Sequence, residues 1–132
     1  MCLLIDDKVT IRTQNRLNKA HQIRCWKVVR ISFHGTRLTA PVYFQDYEIG
    51  WNQSNRLNNG MDTGEDIGRG FHVFLTRKGA VDYCELSEKV IPVTCYAKNF
   101  IGAGYGGYER TFTQAVFTRM YIDPKTYEKA VA

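Results

Sequence analysis

At 132 residues, with 44% hydrophobic and 13% aromatic content, the chain has the length and composition of one folded domain with its own core. No apolar run approaches the roughly 20 residues that span a bilayer; residues 1–5 lead straight into Asp6 and Asp7 with no basic stretch, which argues against a secretory leader and for a cytoplasmic protein. The formal charge of +5 favours an anionic partner, but the basic residues are scattered, with no polybasic run or DNA-reading motif, so sequence-specific nucleic-acid binding is not indicated.

In chain order, residues 3–12 read as the start of a strand, and residues 15–21 as a polar connection or short helix. Residues 22–33 alternate and then run apolar (Ile23, Cys25, Trp26, Val28, Val29, Ile31, Phe33), which predicts a long strand. Pro41 breaks it, and residues 42–49 read as a short helix or an edge strand. Between Trp51 and Gly68 lies a tract rich in Asn, Gly and Asp, a loop long enough to suggest function or mobility. Residues 71–75 read as a strand. Thr76 is positioned to cap a helix over 77–86, with Ala80, Val81, Cys84 and Leu86 inward.

Residues 89–97 form a further strand, in which Pro92 implies an edge position or a bulge. Residues 102–108 read as a glycine–tyrosine loop, and residues 111–122 alternate as one continuous strand. The tail from 125 reads as a short helix or a frayed end. The expected architecture is a single α+β domain over 1–132, dominated by strands in mixed or antiparallel sheets, with one or two helices. Cys2, Cys25, Cys84 and Cys95 lie far apart without a C-x-x-C pair, so neither a metal site nor a disulfide framework is expected. Cys25 and Cys95 read as small buried hydrophobes. Cys2 reads as a first-strand residue, although loss of Met1 would expose it as an N-terminal nucleophile.

Two stretches carry candidate chemistry. The first is Ser32-Phe33-His34-Gly35-Thr36-Arg37 at the end of an apolar strand. The second is Gly68-Arg69-Gly70-Phe71-His72-Val73-Phe74, followed by Ala80-Val81-Asp82-Tyr83-Cys84. The first resembles the opening motif of the poly(ADP-ribose) polymerase branch of the ADP-ribosyltransferases, where a strand ends in His-Gly-(Ser/Thr)-(Arg/Lys). The second is similar to that family's Gly-Lys-Gly-Ile-Tyr-Phe strand and the helix after it. The resemblance covers residues 28–86 and implies an ADP-ribosyltransferase-like scaffold. It also implies NAD contacts from His34 and Gly35, and a ring at His72 where the family has a nicotinamide-stacking tyrosine.

The family's third element, a glutamate opening a late strand, is matched here by Gln114. An amide can bond a ribose hydroxyl but brings no negative charge to a developing cation. Glu109 takes that place only if the register differs. The chain as a whole also resembles small proteins from phages of gut bacteria, which share its Met-Cys-Leu start and a late glycine-rich segment.

The residues also carry their own arguments. Thr36 belongs to the first motif. Arg37 and Arg69 suit phosphate by their guanidinium forks, and Gly70 suits close backbone approach. Residues 102–107 could cradle phosphate through backbone N–H groups, and Tyr105 and Tyr108 could stack on a base. Asp46 and Glu48 form a paired-carboxylate candidate. The function expected is non-catalytic binding of an NAD-related, ADP-ribose-related or cyclic nucleotide, without a separate cofactor. If the chain is viral, this would withdraw a host immune messenger. An active mono-ADP-ribosyltransferase and an accessory protein binding a host protein are the alternatives, and a homo-oligomer is compatible with any of them.

Overall fold

The computed structural model describes residues 3–32, 35, 37–40, 46–54, 66–67, 70–106 and 112–132. In chain order the elements are β1 (Leu3–Ile5), α1 (Asp7–Ala20), β2 (Gln22–Ile31), β3 (Leu38–Thr39), β4 (Asp46–Tyr47), β5 (Gly50–Gln53), β6 (Asp66–Ile67), β7 (Phe71–Phe74) and α2 (Arg77–Tyr83). They continue with β8 (Glu88–Tyr96), β9 (Phe100–Gly106), β10 (Phe112–Phe117), β11 (Arg119–Ile122) and α3 (Pro124–Val131). The 11 strands form one sheet in the order β5-β11-β8-β2-β7-β10-β9-β1-β6, with the β3–β4 hairpin added at the end of β2. All pairings are antiparallel. The described residues therefore form an α+β domain with a wholly antiparallel sheet and three α-helices, more helical than the sequence suggested.

Most of that excess is α1. Leu3, Leu4, Ile5, Val9 and Ile11 imitate a strand over 3–12, but the chain turns into a helix at Asp6, whose carboxylate accepts the Val9 N–H at 3.0 Å. Val9, Thr13 and Leu17 form its buried stripe, while Ile11 stays 60% exposed. His21 closes it in the left-handed region at φ 63°, its N–H bonding Leu17 O at 2.7 Å. The other helices follow their sequence signals. Thr76 Oγ1 accepts from Gly79 N at 3.1 Å, and Asp123 caps α3 ahead of Pro124. α2 ends at Tyr83 rather than at 86, which leaves Val81 and Leu86 exposed instead of inward.

The stretch expected as one strand over 111–122 is two. Ala115 and Phe117 of β10 face the main core, and so do Met120 and Ile122 of β11, so the alternation slips by one at Thr118. Thr118 is pinned on both sides: its N–H bonds Asn99 O at 2.8 Å and its O accepts from Ser54 N at 3.0 Å. In the sheet order, β8, β2 and β7 lie between β11 and β10. For one residue to connect them, the sheet must coil until its flanks meet at this corner.

The inner face of that coil holds the main core. It includes Cys25, Val29, Phe71, Val73, Ile91, Val93, Cys95 and Phe117, covered by Val9 and Leu17 of α1 and by Tyr127 and Ala130 of α3. Cys25 and Cys95 are buried as expected, and the Cys95 thiol is pushed well above its usual range by its hydrogen bond with Cys25 and by burial. Tyr127 fastens α3 to the hairpin, its hydroxyl donating to Tyr47 O at 2.6 Å and accepting from Leu38 N at 3.0 Å. Lys27 lies in this inward row where β7 leaves β2; the two strands are registered only at Trp26↔Phe74. Its Nζ donates to the His72 carbonyl at 2.7 Å, replacing a ladder bond, and burial lowers its pKa to about 8.

Pro92 sits in β8, which is flanked by β2 and β11 rather than at the sheet edge. The register Tyr121↔Thr94 ends β11 level with Val93, so β8 has no described strand on that side from Pro92 backwards. The missing N–H is tolerated there. Among the described residues, no helix is long and apolar enough to cross a membrane.

Candidate functional site

The residues singled out in the sequence do not form one cluster. His34, Thr36, Arg69 and Tyr108, together with Cys2, Gly68 and Glu109, lie outside the described residues. Gly35 has φ 70° in the turn after β2, and its N–H is engaged by Ser32 O at 2.8 Å. Arg37 pairs with Glu48 at 3.3 Å and with Asp46 at 3.8 Å, so the guanidinium expected for pyrophosphate and the carboxylates expected for acid–base work face each other. Gly70, at φ 96°, is required by packing: a Cβ there would stand 2.7 Å from a Val116 methyl.

The glycine–tyrosine segment expected as a loop over 102–107 is mostly strand β9, paired with β10 and β1. The alternating glycines of β9 make room for neighbours: the amide of Gln114 lies over Gly106, and the β1 backbone crosses at Gly104. Tyr105 packs against the main core, on the face opposite Gln114. His72 and Gln114 do come together. They occupy neighbouring strands on one face, His72 opposite Val116 and Gln114 opposite Phe74, with Gln114 buried and His72 partly so.

The outer face of the sheet contains a more developed arrangement. Over its middle, α2 sets Ala80 and Tyr83 against Val28 and Phe74, with Trp26 and Phe112 packed around them. Towards β5 no described element covers it. Register aligns Trp51, Tyr121, Thr94 and Arg24 in one row across β5, β11, β8 and β2. The next row holds Gln53 and Arg119, then Tyr96 and Gln22. With strands about 4.8 Å apart, each row is roughly 14 Å wide.

Three rings in these rows touch. Trp51 lies 5.0 Å from Tyr96 and 5.5 Å from Tyr121, centroid to centroid. The Arg119 guanidinium stacks over the indole at 4.5 Å. Trp51 remains 40% exposed. Among the described residues neither Arg119 nor Arg24 has a carboxylate partner; the Arg119 Nε is itself buried and unbonded, which leaves the terminal nitrogens for a ligand. Neither row contains a carboxylate, a histidine or a cysteine. The arrangement can therefore stack flat rings and attract anions.

Sequence reasoning missed this surface although its signals were present. Arg24, Thr94 and Tyr96 occupy the polar phase of strands that were recognised. Trp51 stood at the lip of a presumed loop, and the slip at Thr118 assigned Arg119 and Tyr121 to the wrong phase. Among the described residues no group of three or more His, Cys, Asp and Glu side chains could hold a metal ion. In comparisons with known proteins, no family model, curated protein or solved structure matches the chain.

Proposed function

We propose that the protein binds a nucleotide-type ligand, a flat base carrying phosphate, on the open outer face of β5, β11, β8 and β2, and holds it without turnover. The observation that carries this reading is the Trp51–Tyr96–Tyr121 cluster with Arg119 laid over it, beside Arg24 and with no acid in either row. Base–aromatic stacking contributes about 1–3 kcal/mol per base. Guanidinium groups with no carboxylate partner among the described residues suit phosphate oxygens. The net charge of +5 adds long-range attraction of the same sign. In a viral protein, as the phage resemblance implies, such binding would withdraw a nucleotide signal from the host. Isothermal titration against AMP, NAD, ADP-ribose and a cyclic dinucleotide tests the reading. Saturable heat with at least one of them, lost in Arg119→Gln, is expected; no heat from any of them counts against these four ligands.

A second reading keeps the ADP-ribosyltransferase-like scaffold and places the ligand where β2 ends and β7 begins. His72 and Gln114 sharing one face of adjacent strands favours it. Because Gln114 is neutral, this version also binds without cleaving. His72→Ala would abolish titration with NAD while Arg119→Gln would leave it intact.

A further inference from the structure

The open face has a directionality that limits what can occupy it. Arg119 and Arg24 are two strands and two residues apart, which puts their Cα atoms roughly 12 Å from each other. The Arg119 guanidinium is held against the Trp51 indole, whose ring also lies 5.0 Å from Tyr96 on β8. A ligand with two spaced phosphates can engage both arginines without drawing Arg119 off the indole. Between the two charges lie Tyr121 and Tyr96, both partly exposed. The pattern is cation, rings, cation, laid across the strands.

Stacked nucleotides in one strand advance about 3.4 Å per phosphate, so the roughly 14 Å row matches about four nucleotides. A duplex presents a charged backbone to such a surface and keeps its base faces internal. A single strand offers both bases and phosphates. From this geometry we infer that the ligand is a short single-stranded oligonucleotide, lying across β5, β11, β8 and β2 with bases on the Trp51–Tyr121–Tyr96 cluster and separate phosphates on Arg119 and Arg24. The inference rests on the nucleotide-binding reading and narrows its ligand to a class with at least two well-separated phosphates. Because the contacts are faces and charges rather than base edges, binding should be tolerant of sequence.

The test is a length series of oligothymidylates, from the mononucleotide to eight residues, titrated against the full chain by quenching of tryptophan fluorescence. Parallel arms use NAD, a cyclic dinucleotide and an eight-base-pair duplex. Affinity should rise at least tenfold from one nucleotide to four and then level off. The duplex should bind at least tenfold more weakly than the single strand of eight. Arg24→Gln and Arg119→Gln should each weaken the eight-residue strand about tenfold and reduce the salt slope by about 0.7, with melting temperature serving as the folding control. If NAD or the cyclic dinucleotide binds as tightly as the four-residue strand, the oligonucleotide inference is overturned and the nucleotide reading survives. Equal affinity for the duplex overturns it as well. Silence from every probe overturns both.

Discussion

Two groups of three aromatic rings lie over the same outer face of one sheet, and they have opposite fates. Phe74 and Phe112 of the sheet and Tyr83 of α2 contact one another at 5.2–6.0 Å and help to form a secondary core. Trp51 contacts Tyr96 and Tyr121 at similar distances, with no described helix above them and an arginine against the indole. Ring contacts alone therefore do not distinguish packing from recognition. What distinguishes these two groups is the cover and the charge beside them. In the first, Ala80 brings α2 close to the rings; in the second, uncharged polar side chains and arginines complete the rows.

The sharpest way to break this comparison is to truncate one ring from each group. Phe74 is 3% exposed, so Phe74→Ala should cost about 3–5 kcal/mol in chemical denaturation, the usual range for a core phenylalanine. Trp51→Ala should cost only about 1 kcal/mol, the scale of a cross-strand aromatic contact, while lowering nucleotide affinity at least tenfold. Comparable losses of stability from the two would remove the distinction between core and surface.

The seam under the covered half supplies a pH test. Lys27 has a folded pKa of about 8, below its unfolded value. Between those values the unfolded chain binds the extra proton, so the Lys27 contribution to stability rises with pH. Wild type should therefore gain on Lys27→Met by roughly 3 kcal/mol between pH 8 and 10.5. Comparing the two proteins cancels the opposing slope expected from Tyr47, whose pKa is raised, and making the comparison in a Cys95→Ala background removes that of Cys95, which the Lys27 charge itself influences. A difference that stays flat with pH would show that the ammonium is hydrated. The smallest expected effect is that of Arg24→Gln on stability, under about 0.5 kcal/mol for an exposed residue without an ion pair among the described residues. A larger loss would mark Arg24 as part of the fold rather than of the surface.

Much of the fold could be anticipated where local and global signals agreed. The long alternating β2, the Thr76-capped helix and the strand β7 were apparent from periodicity and capping, while the tail after Pro124 read equally as a short helix or a frayed end. Misreadings arose where a local pattern competed with tertiary structure. Val9 and Ile11 alternate as in a strand, yet only Val9 is buried, because Asp6 starts a helix before them. The glycines of β9 suggested a loop, but they serve close packing by β1 and Gln114. Thr118 carries no strand-breaking signal of its own; its bonds to Asn99 and Ser54, distant in sequence, set the corner. The same corner obscured the candidate surface, since Arg119 and Tyr121 join Thr94 and Arg24 only after the alternation slips.

The most direct test of the open face is photo-crosslinking of a four-residue oligonucleotide bearing 5-iodouridine, followed by mapping of the modified residues by mass spectrometry. The account predicts adducts on Trp51, Tyr96 or Tyr121, suppressed by excess unlabelled oligothymidylate and reduced in Arg119→Gln. Adducts confined to Tyr105, His72 or the rings beneath α2 would contradict it.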